Sequence, residues 1–446
     1  MQDTVDGGGF GRLYVTRQCC GAATCRNYAP ELLGEVPAAR EREHGHGEAR
    51  GPSVIPGSHD PGAFTGVRRQ PRSKDELAAA RTAVAACPFG AMRLEGAPSR
   101  VRPRELGSPW RGFPRRLEDD VWVIGHPSQK NFGATSYFIE REGGGVLIDA
   151  PKPSEALYRW LEEHGGVRWL FLTHRDHTHH HDAIAARFPG CRRVLGAADV
   201  NLRETPYNAA TGDVEVKLGD GPGAMTLEGA PLSEHALASA ELAVLPQPGH
   251  TPGSLCLLYR GRFLFTGDHL CYSRHLGHIV AFRLQCWEDW GRQIGSVRRL
   301  AGWAEAGHLR FSWVLPGHGE WHRFEGDGSA EATAVELRRA LGWMERLPPG
   351  HMSLSRYIPF AQSRTMPRSL IARVVRAISG DGPGRDAWLL PRRTRASLPD
   401  YDARKTAAAL LRVSLLGAAS LAAAAAAVAG AVWLGAHAAG AVRARL

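Results

Sequence analysis

A chain of 446 residues with 43% hydrophobic content can hold two globular domains and further segments, and it is too apolar to be disordered throughout. Its formal charge of +10 comes from scattered arginines. No run of Lys and Arg interleaved with aromatics marks a nucleic-acid surface, so solubility and basic linkers account for the charge and no nucleic-acid partner is expected. Eight cysteines, few for this length and not spaced as a secreted disulfide framework, point to a reducing compartment.

The opening residues MQDTVDGGGF lack the apolar core of a signal peptide and the Arg/Ser-rich character of a transit peptide, which implies no import or a leader missing from the sequence. Arg12 to Val15 predicts a short strand, followed by CCGAATCRNYAPELL from Cys19. The stretch 34–72 is rich in Gly, Pro, Arg and His, with HGHGE at 44–48. Such a composition cannot bury enough apolar surface to order itself, so it reads as a disordered insertion in which His44 and His46 are solvated. An amphipathic helix over Lys74 to Ala86 leads into CPFGAM from Cys87. This pattern resembles that of single-cluster bacterial-type ferredoxins, Cys-x2-Cys-x2-Cys followed far along by Cys-Pro. Cys19, Cys25 and Cys87 fall on the first, third and last positions, Pro88 is in place, and Ala22 stands where the second cysteine belongs. The resemblance implies a ferredoxin-like domain over 10–95. Three thiolates suit a [3Fe-4S] or other iron–sulfur cluster; a decayed domain that keeps its shape without a cluster is the alternative.

A Pro/Arg-rich linker, 96–117, precedes a change of texture. From 118 to about 346 regular strands appear: DVWVIG, TSYFIE and GVLIDAP, then VEVKL, ELAVLPQPG, SLCLLYR and GRFLFTGD. Helices are predicted over Ser154 to His164, Asp182 to Phe188, Glu288 to Ala306 and Glu331 to Leu347. The organising stretch is WLFLTHRDHTHHHD, Trp169 to Asp182, where an apolar strand stops at five histidines and two aspartates. Imidazoles and carboxylates packed at a strand end need a partner, and a divalent metal satisfies several together. Three later segments end apolar runs in the same way: QPGHTPGSL with His250, FTGDH with Asp268, and LPGHG with His318.

In order, loop chemistry and the interval 268 − 250 = 18, these segments resemble the metallo-β-lactamase-fold superfamily. The resemblance implies an α+β fold, an αββα sandwich whose ligands lie on five loops, with zinc or iron lowering the pKa of a bound water. It implies His174 grouped with His250, His318 on a second metal, Asp268 bridging the two, and Asp149 structural. The first motif departs from the family form His-x-His-x-Asp-His: laid from His174 it gives Asp176, Thr178 and His179. The second histidine has become a carboxylate. The Asp that holds the second metal has become threonine, a poor ligand and no base. Asp176 and His179 are the expected additional ligands, with His181 as the alternative in a longer loop, and Asp176 and Asp268 are the expected catalytic groups.

A ferredoxin-like front end joined to a THRD-bearing domain resembles a group of plant, algal and cyanobacterial metallo-β-lactamase-fold proteins, which implies a chloroplast setting for eukaryotic members. Three functions stay open. One is a metal-dependent hydrolase of an ester or thioester in a small-molecule substrate, with metal-activated hydroxide as nucleophile. Another is a diiron redox protein fed by the iron–sulfur domain or a redox partner, since Asp176 matches the carboxylate of flavodiiron proteins. The third is a metal-poor binding or regulatory protein. Beyond a basic linker, 347–405, with a helical patch at 369–378, residues 413–442 form an uncharged, Ala-rich run bracketed by Arg412 and Arg443. Its length exceeds the ~20 residues needed to span a bilayer, so a transmembrane helix anchoring the chain is expected.

Overall fold

The computed structural model describes residues 12–16, 19, 21–35, 65–95, 113–202, 208–219, 221–283, 285–326 and 328–347, all within the first of two compact units, Met1–Ala387. Cys20, His44, His46, the helical patch 369–378 and the run 413–442 lie outside these residues. Among the described residues, no helix is long and apolar enough to cross a membrane.

The N-terminal part is a small module of paired short strands and one helix. β1 (Leu13–Val15), β2 (Leu33–Glu35) and β3 (Thr65–Val67) precede α1 (Lys74–Ala85) and β4 (Met92–Leu94). β1 pairs antiparallel with β4, and β2 with β3. Ser73 caps α1 by accepting from the Glu76 N–H, and Asp75 and Glu76 in its first turn complement the helix dipole. The β2–β3 pairing gives structure to 34–35 and 65–72, the two ends of the stretch expected to be disordered; 36–64 lie outside the described residues. Leu33 is buried, Val67 packs against the same core, and Arg69 pairs with Glu76, so both flanks of the insertion are ordered.

A seven-stranded sheet follows: β5 (Arg115–Glu118), β6 (Val121–Val123), β7 (Tyr137–Ile139), β8 (Gly145–Ile148), β9 (Val167–Phe171), β10 (Arg192–Gly196) and β11 (Val216–Leu218), neighbours in that order. The first three pairings are antiparallel and the last three parallel. Crossovers through α2 (Glu155–Glu163) and α3 (His181–Arg187) allow the parallel strands. The domain therefore starts at Arg115, inside the expected linker. β5 is an edge strand with exposed Arg115 and Arg116, and it carries no apolar alternation to announce it.

The second sheet runs β13–β12–β14–β15–β16–β19–β20, built from β12 (Ala224–Met225), β13 (Pro231–Leu232), β14 (Leu242–Pro246), β15 (Leu255–Tyr259), β16 (Phe263–Gly267), β19 (Trp313–Pro316) and β20 (His322–Arg323). A hairpin of β17 (Cys271–Ser273) and β18 (His278–Val280), then α4 (Trp290–Glu305), lie between β16 and β19, and α5 (Ala330–Glu345) closes the domain. Period-2 alternation sorts the side chains into layers. Ile148, Phe171 and Val194 share one core with Val244, Leu257, Phe265 and Leu315 of the other sheet. Leu147 and Leu170 pack instead with Leu157, Leu161 and Ile184 of α2 and α3. Leu258, Leu264 and Val314 pack with Val297, Leu300 and Leu337 of α4 and α5. The result is helix–sheet–sheet–helix, with each buried aliphatic or aromatic side chain contributing about 1.5–3 kcal/mol. The Tyr137 hydroxyl donates to Pro316 O at 2.7 Å and ties the two sheets together.

The N-terminal module leans on one particular loop of this sandwich. Gly319 N donates to Ala22 O at 2.9 Å, and Asn27 Nδ2 donates to Gly319 O at 3.0 Å. Asn27 Oδ1 accepts from Trp321 N, and the Tyr28 ring meets Trp321 and Phe113 edge-on. The peptide that follows His318 is thus held on both sides by residues nearly three hundred positions earlier.

Candidate metal centre

Five strands deliver their last residues to one end of the sandwich: β8 to Asp149, β9 to His174, β14 to His250, β16 to Asp268 and β19 to His318. The frame is built of hydrogen bonds to two buried carboxylates. Asp149 takes the Thr173 N–H at 2.8 Å, the Thr173 hydroxyl at 2.9 Å and His177 Nδ1 at 2.7 Å. Its backbone is left-handed, φ 56, an uncommon state for a residue with a Cβ that the surrounding bonds enforce. Asp199 takes the Arg175 N–H at 2.9 Å, the Thr251 hydroxyl at 2.7 Å and the Gly253 N–H at 3.0 Å. The loops carrying His174 and His250 are therefore locked to each other.

At the centre, four imidazoles surround one carboxylate. Asp268 Oδ2 lies 3.6 Å from His174 Nε2, 3.6 Å from His177 Nε2, 3.7 Å from His250 Nε2 and 2.9 Å from His318 Nδ1. Asp176 Oδ2 sits 3.9 Å from His174 Nε2, while its other oxygen accepts from Asn208 Nδ2 at 2.7 Å. All six side chains are buried; the least covered are Asp268 and His318, at 8% and 9% exposure. Two triads place their donor atoms within reach of one ion: His174, Asp176 and His250, and His174, His177 and Asp268.

Of the residues the sequence singled out, His174, Asp176, His250, Asp268 and His318 come together. His179 does not: its ring lies edge-on to His180, and its backbone N–H donates to Asn131. His181 is also elsewhere, 2.8 Å from Ala210 O and 3.0 Å from Arg193. The residue that joins instead is His177. Arg175–His177 forms one 3-10 turn, and at three residues per turn positions 174 and 177 fall on the same side. That spacing was present in the sequence, but laying the family motif on the loop drew attention to 179. Thr178 faces away, its hydroxyl donating to Arg175 O at 2.8 Å.

The charges are arranged as a metal site needs them. Burial, followed by the neighbouring His177, holds His174 well below the usual histidine range, and burial holds His250 at about 4. Both rings are neutral at pH 7, and neutral imidazole is the ligating form. Their Nε2 atoms are buried with no hydrogen-bond partner. Such orphaned atoms are costly unless something outside the protein satisfies them, and their pairing with the Asp176 and Asp268 oxygens fits a divalent cation. For His177 burial works against the charge, but the carboxylates of Asp268 and Asp149 outweigh it and raise the ring to about 9. Its charge therefore contributes stability to the metal-free fold that is complete below about 6.5 and lost as pH rises through about 9. The chelated protein is expected to lose melting temperature steadily over that window and to level off above it, as calorimetry at several pH values would show.

Gly317 leaves the room that this packing requires. A Cβ there would sit 2.4 Å from His177 Cε1 and 3.0 Å from Asp268 Oδ1. Gly317→Ala is expected to cost about 1–3 kcal/mol of stability by overpacking and to weaken metal binding, read by denaturant melts and metal titration.

A second cluster occupies the N-terminal module. Cys19 and Cys25 lie close enough to Cys87 for its charge to bear on both of their thiols, and none of the three is in a disulfide. Burial of the thiol, with Cys19 and Cys87 nearby, pushes Cys25 up to about 12, and Thr65 accepts from its Sγ at 3.5 Å. Ala22 lies against the sandwich: a Cβ at Gly133 would fall 3.8 Å from that of Ala22.

A helix–sheet–sheet–helix sandwich with a histidine–carboxylate cluster at its strand ends defines a metallo-hydrolase class, and sequence comparison narrows it. The chain is 34% identical over 217 residues to hydroxyacylglutathione hydrolase of Anaeromyxobacter dehalogenans, a match covering 46% of this chain and 73% of that protein. It is 24% identical over 210 residues to the uncharacterized protein YobT of Bacillus subtilis, covering 46% and 78%. It belongs to the metallo-β-lactamase-fold hydrolases. Among solved structures, DIM-1 metallo-β-lactamase aligns at 16% identity and a TM-score of 0.36, over 50% of this chain and 95% of that one. A metallo-β-lactamase from Pontibacter korlensis aligns at 16% and 0.34, over 52% and 98%. No family model matches the sequence.

Proposed function

We propose that the chain hydrolyses ester or thioester bonds at a metal held by His174, Asp176, His250 and Asp268. The observation that carries this reading is the pair of fully buried Nε2 atoms, on His174 and His250, that lack partners and face the Asp268 carboxylate. A bound zinc or iron supplies Lewis-acid polarisation and an acidified water. The chain's own contribution is orientation. Asn208 fixes the Asp176 carboxylate, Asp199 fixes both ligand loops, and Asp268 is kept ionised by the imidazoles around it. The thioester class is suggested by the relative's name, since an acylated glutathione is a thioester. Purified protein is expected to hydrolyse acylglutathione thioesters, to stop on chelation and to recover with zinc. Zinc- and iron-loaded protein with no turnover on any ester or thioester would refute the reading.

The reading includes an iron–sulfur cluster on Cys19, Cys25 and Cys87, supported by three unpaired thiols gathered in one module. Iron and acid-labile sulfide in anaerobically purified protein, with a paramagnetic signal on oxidation, are the expected results. The diiron alternative needs a second acidic ligand at Thr178, whose hydroxyl points to Arg175 O instead. Membrane attachment through 413–442 is part of the proposal, tested by alkaline extraction of membranes from expressing cells.

A further inference from the structure

The two sides of the Asp268 carboxylate differ in a way that bears on how many ions the site accepts. On one side two imidazole nitrogens are unspent. His174 Nε2 and His250 Nε2 have no hydrogen-bond partner, and they lie 3.6 and 3.7 Å from Asp268 Oδ2. Asp176 Oδ2 completes that group, 3.9 Å from His174 Nε2.

On the other side the groups are engaged with each other. His318 Nδ1 lies 2.9 Å from both Asp268 oxygens, and its Nε2 lies 3.1 Å from Phe132 O. His177 Nδ1 is 2.7 Å from Asp149 Oδ2, and its Nε2 is 3.3 Å from His318 Nδ1. Thr178, at the position where the family form has its aspartate, is turned back to Arg175 O. A second cation here would have to break the contacts of His177 and His318 with Asp149 and Asp268, and it would meet the Thr178 hydroxyl, itself turned to Arg175 O, where the family form offers a carboxylate.

We propose that the centre takes one metal ion per chain, on His174, Asp176, His250 and Asp268, and that the His177 ring, held by Asp149 and His318, fills the place of a second. This rests on the metal-hydrolase reading and departs from the two-metal arrangement that the family resemblance implies. His177 is then a positioning residue that supports Asp268, its Nε2 3.6 Å from Asp268 Oδ2 and its Nδ1 held by Asp149.

Anomalous diffraction at the zinc edge, on crystals of full-length protein soaked in excess zinc, counts the ions and locates them apart from any bound at the cysteines. One peak between His174, Asp176, His250 and Asp268 is expected. Two peaks flanking Asp268 would overturn the proposal and leave the hydrolase reading standing. No peak would overturn both. Cobalt(II) titration gives a second readout without reference to activity. Asp176→Ala should weaken cobalt binding at this site by more than ~100-fold, and His318→Ala by no more than the ~10–100-fold typical of groups one step removed from a metal. The reverse ranking would sink the one-ion assignment even if the crystals failed.

Discussion

Asp268→Asn is expected to abolish metal binding and to lower hydrolysis by ~10²–10³-fold, the scale seen when one preorganised electrostatic group is removed. The substitution is nearly isosteric, so the effect is one of charge. Asp268 is the single anion within 3.7 Å of four histidine rings, and burial, which alone would raise its pKa, is overridden by His318 and His177. An amide there cannot serve as an anionic ligand, and it strips His177 of the largest of its countercharges. The metal-free variant should also be less stable by about 3–5 kcal/mol, the usual consequence of leaving a buried charge unpaired. Metal analysis and denaturant melts on the same preparations check both halves. Full metal content in the variant would remove Asp268 from the ligand set.

Asp149→Ala is expected to act on folding rather than on the ligand set. Asp149 touches no proposed ligand except through Thr173 and His177, yet it accepts from a backbone N–H, a hydroxyl and an imidazole at 2.7–2.9 Å. Alanine leaves the Thr173 N–H and the His177 ring without partners in a dry environment, and it keeps a Cβ at a left-handed backbone position without the bonds that enforce it. A loss of about 4 kcal/mol is expected, enough to unfold a marginal domain at body temperature. Asp149→Asn separates charge from hydrogen bonding. It retains an acceptor and should recover part of the stability, while His177 loses the anion that helps raise it. A melting temperature unchanged in the alanine variant would mean that Asp149 does not organise the loop.

Much of the centre was legible because its chemistry obliges polar residues to follow apolar strands. His174, His250, Asp268 and His318 each end a run whose core role is plain: Trp169 to Leu172, Leu242 to Pro246, Phe263 to Gly267 and Trp313 to Pro316. The helices were read to within two residues, and four of them start at the side-chain caps Ser73, Ser154, Asp289 and Ser329. What escaped had no such signature. β5 is polar, and β12, β13 and β20 are each two residues long, too short to show a period. The choice among His177, His179 and His181 depended on whether the loop after His174 makes a 3-10 turn, and five histidines crowded together give every register a plausible ligand. The hairpin at Leu33 and Thr65 was hidden for a different reason: its strands are separated by a long polar insertion, and only their pairing shows they belong together.

The grip of Ala22 and Asn27 on Gly319 has a practical corollary. The wall behind His318 is borrowed from the front of the chain, so trimming the protein back to residue 113 would not release an intact hydrolase. Gly319 and Trp321 would lose their bonded neighbours, and the aromatic seat of Tyr28 on Trp321 and Phe113 would open to water. A fragment cut there should come out with a slack rim, prone to protease attack around 317–322, and adding the missing module back in trans should tighten it again.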